Sequence, residues 1–154
     1  SMTRIDFHFN AADKLLHCCR LLRKIHRAGQ RVVVHHDSVA VLNELDRLLW
    51  TFSDLDFIPH LMADDPLAAD TPILLAAGPV DTPHHDVLVN LGEQPPSYFS
   101  RFERLIEVVA SDETDRASGR QRWRFYRDRG YVLEQLRTHG ASIAANEFVL
   151  RRTG

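Results

Sequence analysis

At 154 residues the chain is long enough for one domain, burying about 70% of the surface its unfolded form would expose. Hydrophobic residues make up 44% and charged residues 26% of it, which excludes a disordered or fibrous protein. The net charge of -2 and pI near 6.5 exclude a general basic field that would hold the molecule on a phosphate backbone, so any anion binding has to be local.

In chain order, "RIDFHF" alternates, with Ile5, Phe7 and Phe9 on one face, and reads as a strand. From Ala11 to Ala28 the apolar residues Leu15, Cys18, Cys19, Leu22 and Ile25 fall at helical spacing, and Gly29 supplies a stop. "RVVVHH" fits a buried strand. Asp37 or Ser38 can then cap a second helix carrying Val41, Leu42, Leu45, Leu48, Leu49 and Trp50. "PILLAA", "DVLVNL" and "ERLIEVVA" are three further short strands rich in Val, Ile and Leu. Six of the seven prolines lie between Asp64 and Pro96, so long loops and brief strands are expected there. From Asp112 to about His139 the composition is helical and charged, and the closing segment 141–154 reads as either a last strand or a tail. The alternation predicts a single α/β layered domain over residues 1–154, with a mostly parallel central sheet flanked by helices.

Such a sheet invites nucleotide binding, but neither G-x-x-x-x-G-K-[ST] nor G-x-G-x-x-G occurs, and the first strand is followed by the glycine-free "NAADK". Histidine pairs precede an aspartate at His35, His36, Asp37 and at His84, His85, Asp86. Neighbours on a strand point to opposite faces, so each pair lends one ligand to a common site, and H-E-x-x-H is missing. No G-x-S-x-G nucleophile turn and no readable carboxylate pair is present. The expectation is no catalytic residue, no metal and no cofactor. A nucleotide- or metal-dependent enzyme using the strand ends stays as the rival reading. The adjacent Cys18 and Cys19 suit a reducing compartment, and neither a secretory signal nor an apolar membrane span is seen, so a cytoplasmic protein is expected.

The segment that stands out is "RQRWRFYRDRGY", residues 120–131. At about 100° per residue, Arg116, Arg120, Trp123, Arg124, Arg127 and Tyr131 share one helical stripe, with Phe125 opposite as the expected anchor on the sheet. Nearby acids would make this an ordinary solvated face, but a tryptophan among arginines is the composition of binding hot spots. An acidic peptide with a carboxylate or aromatic end fits it best. Direct stacking of a single nucleic-acid strand on Trp123 is the alternative.

"LDRLLW" followed by "DFIPH", then "DVLVNL", "PPSYFSRFERLIEVV" and R-x-R-W-R-x-Y-R-x-x-G-Y resemble, in order and spacing, the chi subunit family of bacterial DNA polymerase III. The likeness runs from the first strand through Tyr131. It implies a mononucleotide-binding-like α/β fold without a phosphate loop, and a non-catalytic clamp-loader accessory protein. In that family one face binds the psi subunit and another binds the acidic C-terminal tail of single-stranded DNA-binding protein, so DNA is met only indirectly. By the same resemblance the tail-binding positions are Arg120, Trp123, Arg124 and Arg127. The family commonly has Tyr and Lys where this chain has Trp123 and Arg124. Trp50 and Phe57 match aromatic positions of the family's partner surface, although Trp50 equally suits the packed end of an amphipathic helix. The segment after His139 carries no resemblance.

Overall fold

The computed structural model describes residues 2–52 and 58–137. Phe57 and the segment 141–154 therefore lie outside the described residues.

Seven strands form one sheet: β1 (Arg4–Ala11), β2 (Val32–His35), β3 (His60–Met62), β4 (Ile73–Ala76), β5 (Val87–Asn90), β6 (Arg104–Ala110) and β7 (Leu133–Arg137). Their order is β3-β4-β2-β5-β6-β1-β7 and every neighbouring pair is parallel. The expected α/β class holds, with a sheet parallel throughout. Helices α1 (Lys14–Arg27) and α2 (Val39–Thr51) cover one face over Val32, Val34, Ile73, Leu75, Val87, Val89, Ile106 and Val108. Helix α3 (Glu113–Asp128) covers the other, with Tyr98, Phe99 and Phe102 over Ile5, Phe7, Leu105 and Val109. Among the described residues no helix is long and apolar enough to cross a membrane.

Side-chain oxygens start all three helices. Asp13 accepts from the Leu16 amide at 3.1 Å, Ser38 from Val41 at 3.3 Å and Asp112 from Asp115 at 3.0 Å. Two of these caps are carboxylates, which repel phosphate from the helix N-termini where a nucleotide would otherwise be held. Gly29, the expected stop, follows α1 with φ 76°, a left-handed conformation that suits glycine.

Two expectations fail around α3. The helix stops at Asp128 rather than near His139, because Gly130 turns the chain at φ 83° and residues 133–137 pair with β1 as an edge strand. Leu, Glu and Gln favour helix locally, but backbone pairing with β1 overrides so weak a preference. Strand β3 was also missed: three residues are too few to show a period.

Candidate functional site

Helix α3 carries the chain from β6 to β7 across β1, which lies between them in the sheet. Its buried residues are Gly119, Arg122 and Tyr126, one helix face at spacings of three and four. Phe125 is not the anchor: it sits half-buried at the margin, with the Arg129 guanidinium 3.5 Å from its ring centre. Gly119 is needed for close approach, since a Cβ there would lie 2.8 Å from a Val109 methyl.

The anchor is polar. Glu107, fully buried in β6, accepts from Arg122 Nε at 2.8 Å, from Tyr126 Oη at 2.5 Å and from Asn90 Nδ2 at 3.0 Å. Arg122 is 1% exposed, and it also donates to the Glu93 carbonyl and the Ser118 hydroxyl. Burial first, then the Glu107 carboxylate, push the Tyr126 phenol far above its ordinary range, so it remains a proton donor. This anchor went unread in the sequence, although one signal was there. A glutamate inside the buried run "RLIEVVA" demands a charged partner, and Arg122 lies on the helix that follows.

With that face fixed, Arg116, Arg120, Arg124 and Arg127 are exposed and Trp123 is half-buried beside them. The indole packs edge-on against Phe7, with centroids 5.1 Å apart, and lies 6.3 Å from Phe9, the two rings presented from β1. Phe9, Arg120, Trp123, Arg124, Arg127 and Gln135 line a cavity of about 250 Å³. A second cavity of about 290 Å³, lined by Phe9, Asn10, Arg116, Arg120 and Gln135, continues it. The two share three residues and form one groove between α3 and the β1–β7 edge.

Tyr131 is not part of the stripe. It follows Gly130 beyond the helix end and packs on Phe99, at 5.2 Å between centroids. Three of the cations have carboxylates of their own. Glu113 lies 3.0 Å from Arg120 and 3.8 Å from Arg116, and Asp128 lies 3.2 Å from Arg127. Arg124 makes no ion pair among the described residues. Exposed pairs of this kind are weak and exchange readily for an incoming anion.

The remaining candidates lie elsewhere. Trp50 is 60% exposed at the end of α2, and its ring meets that of His60 on β3 edge-on at 5.3 Å, so it touches the sheet edge while showing most of its surface. The histidine pairs are engaged internally. His35 bonds to Tyr98 Oη at 2.7 Å and Asp37 at 2.9 Å, His36 accepts from the Ser38 amide, and His84 bridges Thr82 and the Thr71 carbonyl. Among the described residues no three His, Cys, Asp or Glu side chains group as metal ligands do. Cys18 and Cys19 are buried free thiols, the second pushed up to about 12 by burial first and by Asp13 next.

Comparison with solved structures shows the layering alone. The C-terminal domain of S. cerevisiae Dbp5, in a complex with Gle1 and IP6, superposes with a TM-score of 0.63 at 9% identity, covering 99% of this chain and 98% of that one. Sequence relatives are more specific. "DNA polymerase III subunit chi" of Pseudomonas aeruginosa is 37% identical over 140 residues, covering 88% of this chain and 97% of that protein. The proteins of the same name from Haemophilus influenzae and Escherichia coli are 28% and 22% identical, over 75% and 80% of this chain. The model of the family described as "DNA polymerase III chi subunit, HolC" matches residues 2–134, which include every strand and helix up to the start of β7. The chain therefore belongs to the DNA polymerase III chi subunit family.

Proposed function

We propose that this chi-family protein is a non-catalytic adaptor of the bacterial replicase, and that its α3 groove holds the acidic C-terminal tail of single-stranded DNA-binding protein. The observation that carries this is the grouping of Arg120, Arg124 and Arg127 around the Phe9 and Trp123 wall of one cavity. A peptide ending in an aromatic residue with a free carboxylate needs an apolar wall for its ring and guanidinium forks for its charges. Arg116, at the far end of the groove, would meet acidic residues upstream of that end.

An adaptor also needs a second face. The groove lies along β7 while Trp50 stands by β3, and these are the opposite edges of the sheet. Six inter-strand steps of about 4.8 Å put them roughly 29 Å apart. We assign the Trp50 edge to psi; Phe57, which lies outside the described residues, joins it only by the family resemblance. Two ligands can then be held at once without competing, in the cytoplasm where the replicase works.

The test is a titration of the full chain with a short acidic peptide ending in a free phenylalanine carboxylate, followed by fluorescence anisotropy. Arg124→Ala should weaken binding by roughly tenfold, the size of one charge-assisted contact of about 1.5 kcal/mol. Amidating the peptide end should weaken it similarly. Arg124 is exposed and has no ion pair among the described residues, so its removal should leave the melting temperature in place. Equal affinity of wild type and Arg124→Ala for the free-carboxylate peptide would overturn the assignment.

A further inference from the structure

Helix α1 carries a second basic stripe, on the sheet face opposite α3. From Lys14 to His36 the chain has six lysines and arginines and no acidic residue, whereas the rest of it holds thirteen against twenty-one. At about 100° per residue Arg20, Arg23, Lys24 and Arg27 fall within about a quarter of the circumference, opposite the buried Cys18, Leu21, Leu22 and Ile25. Arg27 is exposed and the other three are partly exposed. Attraction to the helix C-terminus accounts for Lys24 and Arg27 in the last turn, but not for Arg20 and Arg23 before it.

The stripe differs from that of α3 in two ways. On α3, Glu113 and Asp128 neutralise neighbouring arginines. On α1, Arg20 and Lys24 make no ion pair among the described residues, and Arg23 has its guanidinium over Phe52, 4.8 Å from the ring centre, with no acceptor for Nε. Like charges so placed repel one another, and among the described residues no carboxylate offsets Arg20 or Lys24. Secondly, none of the described cavities is lined by Arg20, Arg23, Lys24 or Arg27. Among the described residues the stripe is a row of charges.

We propose that the outward face of α1 docks on the phosphate backbone of duplex DNA without reading its sequence. A peptide end needs a pocket, and none of the described cavities is lined by this stripe. A single strand is held by rings on which bases stack, and the ring described beneath the stripe, Phe52, is covered by Arg23. A phosphate row needs only cations at suitable spacing. Residues 20 to 27 span about 10 Å of helix axis, which faces about three phosphates of one strand. Membership of a DNA polymerase subunit family puts duplex DNA within reach.

The test is fluorescence anisotropy of a labelled duplex with the full chain at low salt, repeated along a salt series. Three to four phosphate contacts predict a slope of log K against log salt of about -3. Arg20→Gln with Lys24→Gln removes two of them, so the slope should fall to roughly -1 and low-salt affinity by tenfold or more. This pair leaves the Arg23–Phe52 contact intact. Should its melting temperature drop, Lys24→Gln alone must reduce the slope by about one. Binding of the acidic peptide has to be unchanged in both variants, which separates this face from the α3 groove. An unchanged slope in the double variant would overturn the proposal, as would no duplex binding by the wild type. So would tighter binding of a single strand that Trp123→Phe weakens, since that locates DNA in the groove.

Discussion

Glu113 occupies the cations that the α3 groove would offer to a tail, so removing its charge should strengthen binding. Its two oxygens lie 3.0 Å from Arg120 and 3.8 Å from Arg116, with the three side chains half to three-quarters exposed. At that exposure each pair stabilises the folded protein by at most about 1 kcal/mol, and one carboxylate serves both. An incoming carboxylate has to displace it. Glu113→Gln should thus improve affinity by about 0.5 to 1 kcal/mol, roughly two- to fivefold. The same change removes a negative charge from the first turn of α3 and costs about 0.3 to 1 kcal/mol of helix stability. Tighter binding accompanied by slightly lower stability is the signature. Peptide titration at low salt measures the gain, and near 1 M salt, where the Debye length is about 3 Å, it should vanish. Equal or weaker affinity in a folded Glu113→Gln protein would mean that Arg116 and Arg120 do not contact the tail.

Glu107→Gln should be severe, because it leaves the Arg122 guanidinium buried without a counter-charge. About 3 to 5 kcal/mol of stability is expected to go, read from the urea midpoint, and a loss below about 1 kcal/mol would show that the pair does not hold α3. Acid should act through His17, which accepts or donates at 3.2 Å to His8 and whose pKa is lowered to about 4 by burial first and Arg20 next. Its folded pKa lies below the unfolded 6.5, so the unfolded chain binds more protons in that window. Stability from this site is complete above the unfolded value and is lost as pH falls towards about 4. Urea midpoints taken downward from neutrality should decline with acid, and His17→Gln should flatten the decline.

What was legible in the sequence was whatever repeats with a period. Ile5, Phe7 and Phe9 alternate; Cys18, Leu22 and Ile25 recur as on a helix; Ser38 stands where a cap belongs. Short pieces defined by their neighbours were not legible. His60–Met62 and Leu133–Arg137 are strands because β4 and β1 offer them backbone partners, a fact stored far away in the chain. At the site, angular spacing put Arg116, Arg120, Trp123, Arg124 and Arg127 on one helix face, where the structure also has them, but it added Tyr131, which lies beyond the helix end, and it could not tell which face points inward. Phe125 was the obvious choice on hydrophobicity. Arg122 is buried instead because Glu107 awaits it, and a charge pair across two elements has no period to read.

In the proposed role, rigid and flexible parts of the groove would divide the work. Trp123 is held against Phe7 and Phe9, and α3 is fixed by Glu107 and by the close approach at Gly119, so the apolar wall is preorganised. The arginines around it are long, exposed and loosely paired. A rigid ring wall loses little entropy when a terminal side chain packs on it, whereas each arginine gives up part of its rotamer freedom on gripping a carboxylate. Discrimination should therefore lie in the last residue of the tail and salt sensitivity in the residues before it. The indole also serves the fold, being half-buried on β1, so replacing it wholly confounds binding with stability. A phenylalanine at 123 keeps an aromatic body against Phe7, and for that reason separates the two roles better than alanine does.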